Sequence, residues 1–175
     1  MRTGALGSAR TEAKLKRTNL DGAACPVARA LDATGDWWSL LIVRDAFDGV
    51  RRFSEFQKSL GLSKGILSAR LRRLVALGVL KPAPASDGSA YQEYVLTQKG
   101  LDLFPVVVAL RQWGEDHCFA RGEQHSVLVD NETGHRIGRL EVRSKSGRVL
   151  RSSQTLVRKL GRPSSKRPPG RSLRV

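Results

Sequence analysis

A short basic arc on one expected helix is the part of this sequence best suited to chemistry, and that chemistry is recognition of phosphates and base edges. It lies within RRFSEFQKSLGLSKGILSARLRRLVALGVLK, which runs from Arg51 to Lys81. Leu67, Leu71 and Leu74 fall at i, i+4 and i+7 and make one apolar stripe. With Leu67 at 0° and about 100° per residue, the opposite arc holds Gly65, Ser68, Ala69, Arg72 and Ala76, with Arg73 at its edge. Small residues let a helix approach a duplex closely, and guanidinium groups fit guanine edges and phosphates. The expected contact set is Ser63, Lys64, Gly65, Ser68, Arg72 and Arg73 on this helix, with Arg51 and Arg52 placed just ahead to hold phosphates.

The elements that must carry this arc are legible around it. Ser54 with Gln57 reads as a capping box, so a first helix is expected from Ser54, broken by Gly61. Ser63 is a good N-cap for the second helix, Lys64–Leu77, which Gly78 ends. Two short helices joined by a tight turn make a helix-turn-helix. Between Arg51 and Lys81 eight basic residues stand against Glu55 alone, a local charge of +7. The other reading of this stretch is a solvated helical hairpin with ordinary surface charge.

The rest of the charge is unevenly spread. The net charge over 175 residues is +15. Residues 1–20 carry five basic and one acidic residue, residues 21–119 twelve and eleven, and residues 120–175 fourteen and four. The middle of the chain is nearly neutral and the ends are basic, a distribution suited to a polyanion such as nucleic acid. The expected organisation is a basic arm at 1–20, a helix-turn-helix and assembly domain at 21–119, a small β appendage at 120–160 and a basic tail at 161–175. The tails should add affinity without specificity, through counterion release.

Upstream, Cys25-Pro26 opens a helix with Val27, Ala30 and Leu31 on its apolar side and Gly35 at its end. Asp36 can cap the next helix, WWSLLIVRDAF, which is apolar nearly all round and should be buried, with Trp37 and Trp38 in the core or walling a ligand pocket. Asp48-Gly49 is a turn. Downstream the pattern becomes extended. Val79–Pro84 and Tyr91–Leu96 flank a turn cluster of Ser86, Asp87, Gly88 and Ser89. A hairpin directly after a reading helix is a wing, and Gln92 lies on its return strand. Thr97 is expected to cap one long helix, about 98–119, bent at Pro105. Its apolar burden, including Leu101, Phe104, Val107, Val108 and Trp113, calls for a partner helix, most simply a twofold copy. SVLVD, HRIGRLEVR and RVL, with turns NETG and SKSG between them, read as a β-ribbon. The fold class is mainly α with a small β wing.

These pieces together resemble the HxlR-type winged helix-turn-helix transcriptional regulators, relatives of the MarR group. The matching residues are CPVARALDATG, WSLLIVRDAFDGVRRFSEFQKSLGLSKGILSARLRRLVALGVL, YQEYVLTQKG and LFPVVVALRQWGEDH, roughly 24–117. The resemblance implies a homodimer, built through the first and last helices, on a near-palindromic double-stranded operator. It implies that Arg70, in LSARL, contacts a phosphate, and that Cys25 is a candidate redox sensor. An unknown small-molecule effector is the other option. Trp37 stands where a small polar or basic residue is common in the family, and Gln92 where an arginine is common.

Several classes find no support in the sequence. Two cysteines are too few for a disulfide framework, and the basic N-terminus lacks the apolar run of a secretory signal. No run approaches a membrane span, so a cytoplasmic location is expected. His117, His125 and His135 lack ligand spacing, so no metal is expected. No nucleophile–base pair and no glycine-rich phosphate loop appears, so neither an enzyme nor a cofactor is expected. Besides a DNA-binding regulator, the reading left open is a winged-helix module that docks a protein or RNA partner. Cys25 itself reads either as a small buried residue or, at a helix start where the dipole favours negative charge, as a reactive thiol.

Overall fold

Helix α1 (Pro26–Thr34) begins with proline in its first turn, where a missing N–H costs nothing. Asp36 caps α2 (Trp37–Phe47), its Oδ1 accepting from the Ser39 N–H at 2.9 Å. The structure is a computed structural model that describes residues 24–34 and 36–158. The basic arm at 1–20, the tail at 161–175 and the helix stop expected at Gly35 lie outside the described residues.

Helix α3 (Phe53–Leu60) starts one residue earlier than the sequence suggests, and its cap is different. Glu55, not Gln57, reaches back: its Oε2 accepts from the N–H groups of Arg52 at 2.9 Å and Arg51 at 3.1 Å. A carboxylate in the first turn satisfies two N–H groups at the helix start and favours the positive end of the dipole. Helix α4 (Lys64–Ala76) is capped by Ser63, as expected, through its Oγ and the Ile66 N–H. It ends in a Schellman motif. Val79 N–H donates to Leu74 O and Gly78 N–H to Val75 O, both at 2.9 Å, with Gly78 at φ +66°.

The wing is strands β1 (Leu80–Pro84) and β2 (Gln92–Leu96), antiparallel in register from Leu80↔Leu96 to Pro84↔Gln92. Arg51 and Arg52 add a third, minimal strand. Arg52 bridges Glu93, and the Tyr94 N–H donates to Arg51 O at 2.8 Å. The wing is therefore stitched to the start of α3. Ile42 and Val43 of α2, Phe56 of α3, Leu62 of the turn, Leu67, Leu71 and Leu74 of α4, and Val79 and Leu80 form one buried cluster.

The expected long C-terminal helix is two helices. Thr97 caps α5 (Gln98–Leu101), and α6 runs Phe104–His117 with Pro105 in its first turn. Proline does not bend a continuous helix here. It cannot donate back to the preceding turn, so the chain breaks before it and restarts. Gly100 lies so close to the wing that a Cβ there would meet the Val79 carbonyl oxygen at 2.3 Å.

Two compact units part between Arg121 and Gly122. In the second, the hairpin turns fall where NETG and SKSG place them, but each carries only a single bridge, Val129↔Arg136 and Arg143↔Val149. The expected ribbon is thus two tight turns and a short 3-10 turn (Ser152–Gln154) rather than a ladder. No described helix is long and apolar enough to cross a membrane.

Candidate nucleic-acid interface

Helix α4 turns Leu67, Leu71 and Leu74 fully inward. That fixes its phase, and the opposite arc faces solvent. Lys64, Gly65, Ala69, Arg72 and Ala76 are exposed, and Ser68 and Arg73 are half-buried. Arg72 makes no ion pair or hydrogen bond with any described residue, so its guanidinium projects free from the middle of this surface. Ile66, in the first turn, lies at the edge of this surface on the Arg73 side and is 45% exposed. The sequence reading passed over Ile66. The signal was present, since Ile66 lies about 100° off the leucine stripe. An exposed isoleucine at such a place is suited to a thymine methyl.

The other arginines are held. Arg70 Nη1 lies 2.8 Å from Asp36 Oδ2, and Arg73 Nη2 lies 3.4 Å from Asp32 Oδ2 and also donates to the Asp32 carbonyl. Both tie the flank of α4 to the α1–α2 region. Arg52 pairs with Asp87 in the wing turn and lies 3.8 Å from Glu93, while Arg51 lies 3.7 Å from Glu93. These partners come from three other elements, and nothing local in the sequence announces them.

The electrostatics follow. The hydrogen bond from Arg52, then the Ser89 hydroxyl and N–H, hold the Asp87 carboxyl well below the usual carboxylate range, and Asp87 in turn raises the Arg52 guanidinium. Glu55 is lowered by the N–H groups of Arg52 and Arg51. Glu93 is lowered first by the Ser86 N–H, then by the Ser86 hydroxyl and the two arginines.

Gly88 sits at the wing tip at φ +75°, between Asp87 and Ser89, whose N–H donates to Asp87 Oδ1 at 3.1 Å. Gln92 is exposed, as is Tyr91. A shallow cleft of about 240 Å³ runs between Arg52, Phe53 and Ser54 and these two wing residues.

The expected assembly face divides. Leu101, Phe104, Val106, Leu110 and Trp113 are exposed. Val108 is buried and Val107 packs on the core, so both face inward rather than toward a partner. Three successive valines carry no phase, so the sequence could not tell which of them points out. Trp37, expected in the core or walling a pocket, is 73% exposed and lies tilted against half-buried Trp38, with centroids 5.4 Å apart. Val27 and Leu31 of α1 are exposed too. Cys25 and Cys118 are free and exposed, so Cys25 is not a buried packing residue. Among the described residues no cluster of His, Cys, Asp and Glu could hold a metal ion.

Residues 33–121, half the chain, match the HxlR-like helix-turn-helix family. The chain belongs to that family. The uncharacterized HTH-type transcriptional regulator MT3179 of Mycobacterium tuberculosis (strain CDC 1551 / Oshkosh) is 47% identical over 91 residues. That match covers 52% of this chain and 58% of the relative, so the chain spans little more than half the length of that relative. The crystal structure of PA1607, a transcription-factor candidate, is 56% identical with a TM-score of 0.77, covering 81% of this chain and 99% of that one. PA1374 from Pseudomonas aeruginosa is 37% identical with a TM-score of 0.55, covering 81% and 96%. Residues 1–121 alone cannot make up that share, so both likenesses reach past Arg121 into the HxlR-type chain's second unit.

Proposed function

We propose that the chain is a homodimeric, sequence-specific DNA-binding regulator of transcription, with α4 as its reading helix. The observation that carries this is the outward arc of α4: small residues around an unpartnered Arg72, with Lys64 ahead and Ile66 at the edge of the arc. A helix of that character fits a major groove, with Arg72 on a guanine edge and Ile66 on a thymine methyl. Ser63, Lys64, Gly65 and Ser68 sit at its N-terminal end, the end that helix-turn-helix proteins present to bases. The wing residues Asp87, Gly88, Ser89 and Gln92 flank the groove.

The homodimer is supported by the apolar surface left on α6 and α1. A monomer rarely exposes so many large apolar side chains close in sequence, and a twofold copy covers such a surface with its own kind. Leu101, Phe104 and Trp113 remain in the proposed interface. Val107 and Val108 leave it. Exposed Cys25, just ahead of α1, is the proposed entry point for a redox effector, because a free thiol at a helix start is open to oxidation.

The test is a gel shift with the region upstream of its own gene against random duplex. The regulator should prefer its site by at least about a thousandfold. Equal binding to both duplexes would defeat this reading.

A further inference from the structure

The ion pairs around α3 and α4 are of two kinds. Asp36 and Asp32 are sunk into the fold, their side chains 14% and 16% exposed, and their arginines act as clamps. Asp87 is different. It rides on the wing turn with half its side chain in solvent, and the arginine it holds, Arg52, lies at the entry to the helix-turn-helix. An exposed ion pair of this kind contributes little and exchanges easily. Asp87 does not need Arg52 to keep its shape, because its Oδ1 is already fixed by the Ser89 N–H. Its Oδ2 offers Arg52 what a backbone phosphate offers: an anionic oxygen for a guanidinium.

We propose that Asp87 is a built-in stand-in for a DNA phosphate, occupying Arg52 in the free protein and surrendering it to the duplex backbone when the wing and α3 close on DNA. The proposal rests on the DNA-binding reading above. Its consequence is restraint. Each phosphate contact by Arg52 must first displace an intramolecular carboxylate, so loose encounters with random DNA gain less from this residue than the charge count suggests. A complex that presses the wing against the backbone draws Arg52 across.

Asp87→Asn is the discriminating variant. It keeps an oxygen for the Ser89 N–H and removes the nearer of the two carboxylates on Arg52, leaving buried Glu93 at 3.8 Å. In the full chain, its affinity for random duplex should rise about two- to fivefold, the size of an exposed ion pair. The salt slope should steepen by about 0.9, one more phosphate contact. A second arm repeats Asp87→Asn in an Arg52→Gln background. If Asp87 acts by occupying Arg52, the gain disappears there. A gain of equal size in both backgrounds would mean only that a negative charge near DNA was removed, and would overturn the proposal. No gain in either background would overturn it too. If the wild-type chain binds neither duplex, the DNA-binding reading itself has failed, a result distinct from both.

Discussion

Arg70 of α4 lies 2.8 Å from Asp36, the same residue that caps α2. One carboxylate thus starts a core helix with one oxygen and holds α4 against it with the other. Asp36→Asn keeps a capping oxygen and loses only the ion pair, so its unfolding free energy in urea melts should fall by no more than about 1 kcal/mol. Asp36→Ala loses the cap as well and should cost about 1 kcal/mol more. Equal losses for the two variants would show that the cap contributes nothing.

Arg72 should carry base discrimination. Arg72→Ala is expected to cost about 1–3 kcal/mol at the specific site and to relax preference at one base position. Selection from a randomised duplex library reads both effects. Wild-type selection by the variant would mean that α4 is rotated from the groove.

The inward turn of Val108 gives the assembly face a sharp contrast. Leu110→Glu places charge on an exposed position and should give a folded monomer by sedimentation, with operator binding lost. Val108→Glu buries an unpaired carboxylate in the protomer's own interior and should unfold it, seen by far-ultraviolet circular dichroism. In the dimer the two reading helices should stand about 34 Å apart, one turn of duplex.

Gly100→Ala should be costly for its size. The added methyl meets a carbonyl oxygen and the Leu96 side chain, so either α5 or the wing must move. A loss of about 1–3 kcal/mol is expected in denaturant melts, as for overpacked sites. A neutral variant would show that α5 is free to shift.

Acid should loosen the wing first. Glu93, Glu55 and Asp87 all have folded-state pKa values below their ordinary ones. A lowered carboxylate contributes stability that is fully present above its unfolded pKa, near 4, and is lost as pH falls through the folded value. Thermal midpoints should therefore hold from pH 7 to about pH 5 and fall below it. Glu93→Gln should start lower and fall less steeply.

What could be read in advance depended on range. The leucine stripe at 67, 71 and 74, the Ser63 cap, the Gly78 stop and the wing boundaries are local patterns, and the structure has them within a residue. The Ser54/Gln57 box satisfied a local pattern too, yet lost to Glu55, because a carboxylate two residues before Gln57 reaches N–H groups that the amide does not. Trp37 escaped because an all-apolar helix has no preferred face until its neighbours are known. Arg52, Arg70 and Arg73 were legible as basic residues of the motif. Their partners were not, since Asp87, Asp36 and Asp32 lie more than thirty residues away along the chain.

The carboxyl end of α4 is closed by residues from much later in the sequence. Thr97 Oγ1 donates to the carbonyls of Gly78 and Val79, and Lys99 Nζ donates to that of Leu77 at 2.8 Å. Those donors sit on the strand-to-helix junction from which α5 and α6 depart. Mechanically, α4 and the start of α5 are fastened together, and the break between Leu101 and Phe104 is the joint between that block and α6. In the proposed homodimer, a shift of α6 at that joint would then be delivered as a change in the distance and tilt between two unaltered reading heads. It would be recorded as a preference for operators of different half-site spacing, not for different bases.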